Sequence, residues 1–144
     1  VISLIDDEEY KRWIEMSKRT LLSAEGDLGR GDYNWACFKA HQAAEYAVKA
    51  LLHGLGLTPK GHSISLLLHS TPRELNPDEI LDHAKTLDKY YIPTRYPNAW
   101  SEGIPTNYYT LNDSKQAVSY ASMIIDWVEG KWKSLRKELS RGRK

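Results

Sequence analysis

Between Asp32 and Gly56 small apolar residues and polar residues separate onto two sides of one helix. At about 100° per residue, Ala36, Ala40, Ala43, Ala44, Ala47, Ala50 and Leu51 project into one broad sector. Phe38, His41, Gln42, Glu45, Lys49 and His53 fall on the other side. An alanine face lets a neighbouring helix approach closely. The polar stripe has a plain explanation as a solvated face, since Glu45 and Lys49 form an i,i+4 pair in the favourable order, worth about 0.2–0.5 kcal/mol when exposed. It is also where a functional reading can begin.

The same periodicity predicts the other elements. Tyr10, Trp13, Ile14, Ser17, Leu21, Ala24 and Leu28 recur at spacings of three and four, after an N-cap at Asp6 or Asp7 and with acidic residues in the first turn. Gly29 and Gly31 end that helix, and Asp32 caps the second, which runs to Gly54 or Gly56. A glycine- and proline-punctuated loop follows, then a short apolar helix from Ile64 to His69, started by His62 or Ser63. Pro72 breaks it, and helix restarts at Asn76-Pro77-Asp78-Glu79, continuing through Ile80, Leu81, Ala84, Leu87, Tyr90 and Tyr91. Pro93, Pro97 and Pro105 exclude regular structure between about residues 92 and 108. The last helix, capped by Asn112 or Asp113, carries Ala117, Val118, Ala121, Ile124, Ile125, Val128, Trp132 and Leu135 on one side. No segment alternates as a strand does. The expected fold is an all-α, up-and-down bundle of four to five helices, with a broken third helix and a long proline-containing loop before the last.

Composition narrows the classes. A chain of 144 residues with net charge +1 is one domain by default, and overall charge gives no sign of a nucleic-acid binder, so any such patch is local. Cys37, the single cysteine, excludes an internal disulfide and a cysteine-based zinc site, and within a helix it reads as a packing residue. No apolar run reaches membrane-span length, and acidic residues 6–9 are not those of a signal peptide. An intracellular, cytoplasmic protein is the expectation. His41 and Glu45 share the i,i+4 spacing of a metal-ligand pair, but no second pair accompanies them, so neither a metal nor a cofactor is expected.

Three motifs, in order, carry a family resemblance: Gln42-Ala43-Ala44-Glu45 with Lys49-Ala50-Leu51, then His62-Ser63-Ile64, then Arg95-Tyr96-Pro97-Asn98. Over roughly residues 8 to 130 the chain resembles HEPN-domain proteins of the small, stand-alone prokaryotic type, leaving a basic tail over about 131–144. The resemblance implies a compact helical bundle, often dimeric, frequently working beside a small nucleotidyltransferase in a toxin–antitoxin-like pair. It implies RNA binding or metal-independent RNA cleavage. The ribonuclease branch carries Arg followed four to six residues later by His: Arg stabilises phosphate charge and His moves the proton of the ribose hydroxyl. Here Arg95 is followed at those distances by Trp100, Ser101 and Glu102, and no other arginine is followed by histidine at that spacing. The ribonuclease motif is absent, a departure that argues against family catalysis, the toxin role and modification of a tyrosine beside the motif.

No catalytic residue is therefore assigned. The candidates for nucleotide or RNA binding are His41, Gln42, Glu45, Lys49, His62, Tyr91, Arg95 and Tyr96. In that reading Lys49 meets a phosphate, and Gln42 a base or a partner's backbone. Arg95 grips phosphate bidentately while Tyr91, Tyr96 or Tyr109 stacks on a base. The plain alternative makes Arg95 and Tyr96 anchors of the proline loop and His62 a loop-locking residue. Lys131, Lys133, Arg136, Lys137, Arg141, Arg143 and Lys144 suit a helix C-terminus or an electrostatic handle for RNA or an acidic partner. The reading favoured is a non-catalytic, homodimeric binding module with a possible nucleotidyltransferase partner and no membrane. Its alternatives are a ribonuclease toxin using His62 or His41 in place of the missing histidine, and a purely structural oligomerisation protein.

Overall fold

The structure, a computed structural model, describes residues 5–142. Helix α1 (Asp7–Arg30) starts where Asp6 accepts a hydrogen bond from the Glu9 amide, and stops at Gly31, whose left-handed backbone (φ 84°) suits glycine. Such an N-cap contributes about 1 kcal/mol. Helix α2 (Tyr33–Gly54) follows at once, so the two lie antiparallel. Helix α3 is one short piece (Ile64–Leu68), α4 covers Asp78–Asp88, and α5 runs from Leu111 to Gly142. Arg73–Leu75, Pro97–Ala99 and Pro105–Asn107 are single 3₁₀ turns, the last two each started by a proline within the loop expected to be irregular.

Helix α2 is the axis of the molecule. It packs against α1 and α5 and touches α3 and α4, so it is covered on nearly every side. Ala36, Ala40, Ala43, Ala44, Ala47, Ala50 and Leu51 are completely buried, as the alanine pattern predicts. The backbones come close enough for the Ser17 hydroxyl on α1 to donate to the Ala43 carbonyl at 2.6 Å. At the far end of α2, Tyr10 and Trp132 stack with ring centroids 4.2 Å apart, beside Gly54. A Cβ on Gly54 would stand 2.6 Å from the Trp132 ring, so glycine is required there by space.

One expectation is corrected. The last helix is capped by Thr110, not Asn112 or Asp113: the Asp113 amide donates to Thr110 Oγ1, while Asp113 Oδ2 accepts from the Thr110 amide. This is a capping box with Asp at the fourth position, where its carboxylate also suits the helix dipole. The basic segment from Lys131 continues α5, and Arg136 pairs with Asp7 of α1 at 3.1 Å. Residues 143 and 144 lie outside the described residues.

Candidate functional site

The polar side of α2 is not a solvated face. His41 is completely buried and Glu45 almost so, because the segment 61–65 and the chain around residues 88–95 fold across them. His41 Nε2 donates to the His62 carbonyl at 2.9 Å. Burial lowers its pKa below the usual value, against the opposing pull of Glu45, the His62 carbonyl, Asp88 and Gln42. The other ring nitrogen, Nδ1, lies 3.2 Å from the Gln42 side-chain oxygen Oε1. Gln42 also approaches the Tyr46 hydroxyl at 3.5 Å.

Glu45 gathers two partners. Lys49 Nζ lies 2.8 Å from its Oε2, and His62 Nδ1 donates across both carboxylate oxygens at 3.2 and 3.3 Å. The carboxylate side chain is 2% exposed and the His62 side chain 54%, so one end of the imidazole is tied to a buried anion and the other faces solvent. The ring also stacks on Tyr91, centroids 4.5 Å apart.

On Tyr91 the site meets the proline loop. Arg95 Nε donates to the Tyr91 carbonyl at 2.9 Å, and its guanidinium carbon lies 4.2 Å from the Phe38 ring centre, 4.7 Å from Tyr91 and 5.0 Å from Tyr96. Three rings and one carbonyl thus hold the cation in place. Among the described residues no carboxylate pairs with it, which leaves its two terminal nitrogens available to an oxyanion. A groove of about 420 Å³ between α1 and α2 borders the cluster, lined by Arg19, Phe38, Lys39, Gln42 and Tyr46 among others.

The eight candidates therefore meet in one place, though not in equal roles. His41 reaches no surface, and Lys49, which sequence offered as a phosphate ligand, is paired with Glu45. Tyr109 packs instead between Tyr90 and Trp100, and burial pushes its hydroxyl pKa up to about 12. Among the described residues no cluster of His, Cys, Asp and Glu could hold a metal ion.

Sequence reasoning missed Asp88. Its carboxylate accepts from the Ile64 and Ser65 amides and from the Ser63 and Ser65 hydroxyls, at 2.6 to 3.1 Å. It thereby fixes the residues that follow His62. A signal did exist: Asp88 ends α4, where the helix dipole disfavours an anion, and it is satisfied by the start of α3, where the dipole favours one.

The HEPN domain family model matches residues 10–131. A protein from Thermus thermophilus is 44% identical, with a TM-score of 0.82 over 85% of this chain and 97% of its own. An archaeal HEPN homologue is 41% identical, with a TM-score of 0.72 over 85% and 96%. An HEPN domain protein from Thermotoga maritima is 34% identical, with a TM-score of 0.68 over 85% and 98%. Among curated proteins none matches.

Proposed function

This chain belongs to the HEPN family, and from that premise we propose that it is a binding module for a nucleotide or RNA phosphate, with Arg95 as the principal ligand. The observation that carries the reading is the state of Arg95: its guanidinium is fixed by the Tyr91 carbonyl and three aromatic rings, yet matched by no carboxylate among the described residues. A pre-oriented arginine with free terminal nitrogens suits bidentate phosphate binding, and Tyr91 and the exposed Tyr96 provide ring faces for a base. His62 packs on the same ring with its outer edge toward solvent. Glu45, Lys49, His41 and Gln42 position it from behind. Fluorescence titration with nucleoside monophosphates and short RNA tests this: binding should be salt-sensitive and lost in Arg95→Gln, and equal binding by that variant would end the reading.

In the same proposal the module works as a cytoplasmic homodimer beside a nucleotidyltransferase, in a toxin–antitoxin-like pair, as the family resemblance implies. Among the described residues no helix is long and apolar enough to cross a membrane. Sedimentation giving only the 16.5 kDa species would refute the dimer.

One observation favours the second reading, a metal-independent ribonuclease. His62, oriented by a buried carboxylate, and Arg95 pack on the same ring, Tyr91. His62 would accept the ribose 2′-hydroxyl proton and Arg95 would stabilise the phosphate charge. His41 is removed from that role because it is buried and already donates to a backbone carbonyl. RNA that stays intact with the wild type in chelator refutes this second reading alone.

A further inference from the structure

Trp35 lies outside the cluster that sequence singled out, yet it is built into the same surface. It stands in the first turn of α2 (Tyr33–Gly54), one turn before Phe38, with 44% of its surface exposed. Its indole meets the edge of Phe38, centroids 6.3 Å apart and planes at 82°. Phe38 is in turn 6.1 Å from Tyr91, and Tyr91 stacks on His62 at 4.5 Å. The four rings form a chain whose two ends, Trp35 and His62, are exposed, and the Arg95 guanidinium sits over its middle.

The relation between Trp35 and Arg95 is fixed by their neighbours. Asn34, itself buried, donates from its side-chain amide to the Thr94 carbonyl at 3.0 Å. Thr94 is completely buried, and its hydroxyl donates to the Tyr90 carbonyl at 2.7 Å. One hydrogen-bonded pair thus joins the residue before Trp35 to the residue before Arg95, and the loop holds its arginine at a set place relative to the indole.

We propose that the ligand is a single strand of at least two nucleotides, its linking phosphate on Arg95, one base toward Tyr91 and His62 and the next on Trp35. This rests on the phosphate-binding reading of Arg95. A mononucleotide occupies the cation and one ring surface, and leaves the indole bare on the far side of Phe38. A strand uses both sides of the cation. Stacking tolerates any base because each has a π face, and it requires bases that are not already paired in a duplex.

The test measures binding of a nucleoside 5′-monophosphate, a dinucleotide, a single-stranded hexanucleotide and a duplex, the last three as RNA and as DNA, by competition. Wild type, Trp35→Ala and Arg95→Gln are compared, with folding of each verified by circular dichroism. Expected is a gain of about tenfold from mononucleotide to dinucleotide in the wild type, within the range of one base stack. Trp35→Ala should abolish that gain while leaving mononucleotide binding unchanged, and duplex should compete weakly. A mononucleotide that binds as tightly as the hexanucleotide, or a length gain untouched by Trp35→Ala, overturns the strand and leaves the Arg95 site standing. Dissociation of a dimer by Trp35→Ala also overturns it, by assigning the indole to an interface between copies. Failure of every nucleotide to bind, or binding indifferent to Arg95→Gln, overturns the underlying reading as well. A preference between RNA and DNA arms decides which nucleic acid supplies the strand.

Discussion

His41 and Glu45, on the polar side of α2, reach the burial of its alanine side by different physics. On the alanine side, Ala40, Ala43, Ala44 and Ala47 are covered by apolar contact with neighbouring helices, and their small size is what permits it. On the polar side, His41 and Glu45 are covered by a hydrogen-bonded lid carrying His62, Asp88 and Tyr91. The first arrangement tolerates nothing larger, and the second tolerates nothing unpaired. A packed apolar side has no further partner to find. The polar side ends in groups that still point outward, one imidazole edge and one guanidinium, and that asymmetry is why the site lies there.

The largest break should come from the buried carboxylate. Glu45→Ala leaves Lys49, 12% exposed, without its anion, and should lower unfolding free energy by about 3 kcal/mol in a urea titration. The double variant Glu45→Leu/Lys49→Met should recover part of that loss, since it removes both charges together. Recovery of nothing would show that the apolar replacement cannot fill the space.

The corresponding break on the packed side is smaller. Gly54→Ala drives a Cβ into the Trp132 ring, and overpacking of this kind costs about 1–3 kcal/mol. A shift in Tm of the expected sign, together with an altered Tyr10–Trp132 near-UV signal, would locate the strain. No change in either would mean that the rings move aside freely.

A pH series separates the sides further. His41 has a folded pKa below its ordinary 6.5, so the unfolded chain binds the extra proton. Its contribution to stability is complete above 6.5 and is lost as pH falls from there toward the folded value. The difference in stability between wild type and His41→Gln should therefore narrow on acidification through that window. A constant difference would place His41 outside the titration.

The smallest expected effect is chemical. Burial, aided by Asp113, pushes the Cys37 thiol up to about 12, so a native-state alkylation assay at neutral pH should find it inert and urea should expose it.

Much of this was legible in the sequence because it is local. Helical periodicity places α1, α2 and α5, and the residue before each of the first two helices is an aspartate, although only Asp6 makes the capping bond. The motif residues of α2 predicted which side chains belong together. Periodicity could not tell whether His41 and Glu45 face water, because their cover arrives from segments 17 to 50 positions later in the chain. The same long-range closure hid Asp88, whereas the Glu45–Lys49 pair is local and was legible at its i,i+4 spacing. Thr110 displaced the expected caps because a capping box needs its two partners three apart, and Asp113 provides the second.

If Arg95 is a preformed phosphate ligand, the salt dependence of binding to a single-stranded hexanucleotide RNA tests it most directly. Wild type and Arg95→Gln would be titrated at several ionic strengths. Expected are weaker binding by the variant and a slope of log K against log salt reduced by about 0.7, the loss of one phosphate contact on a single strand. An unchanged slope and affinity would contradict it, and would return Arg95 to the role of a loop anchor.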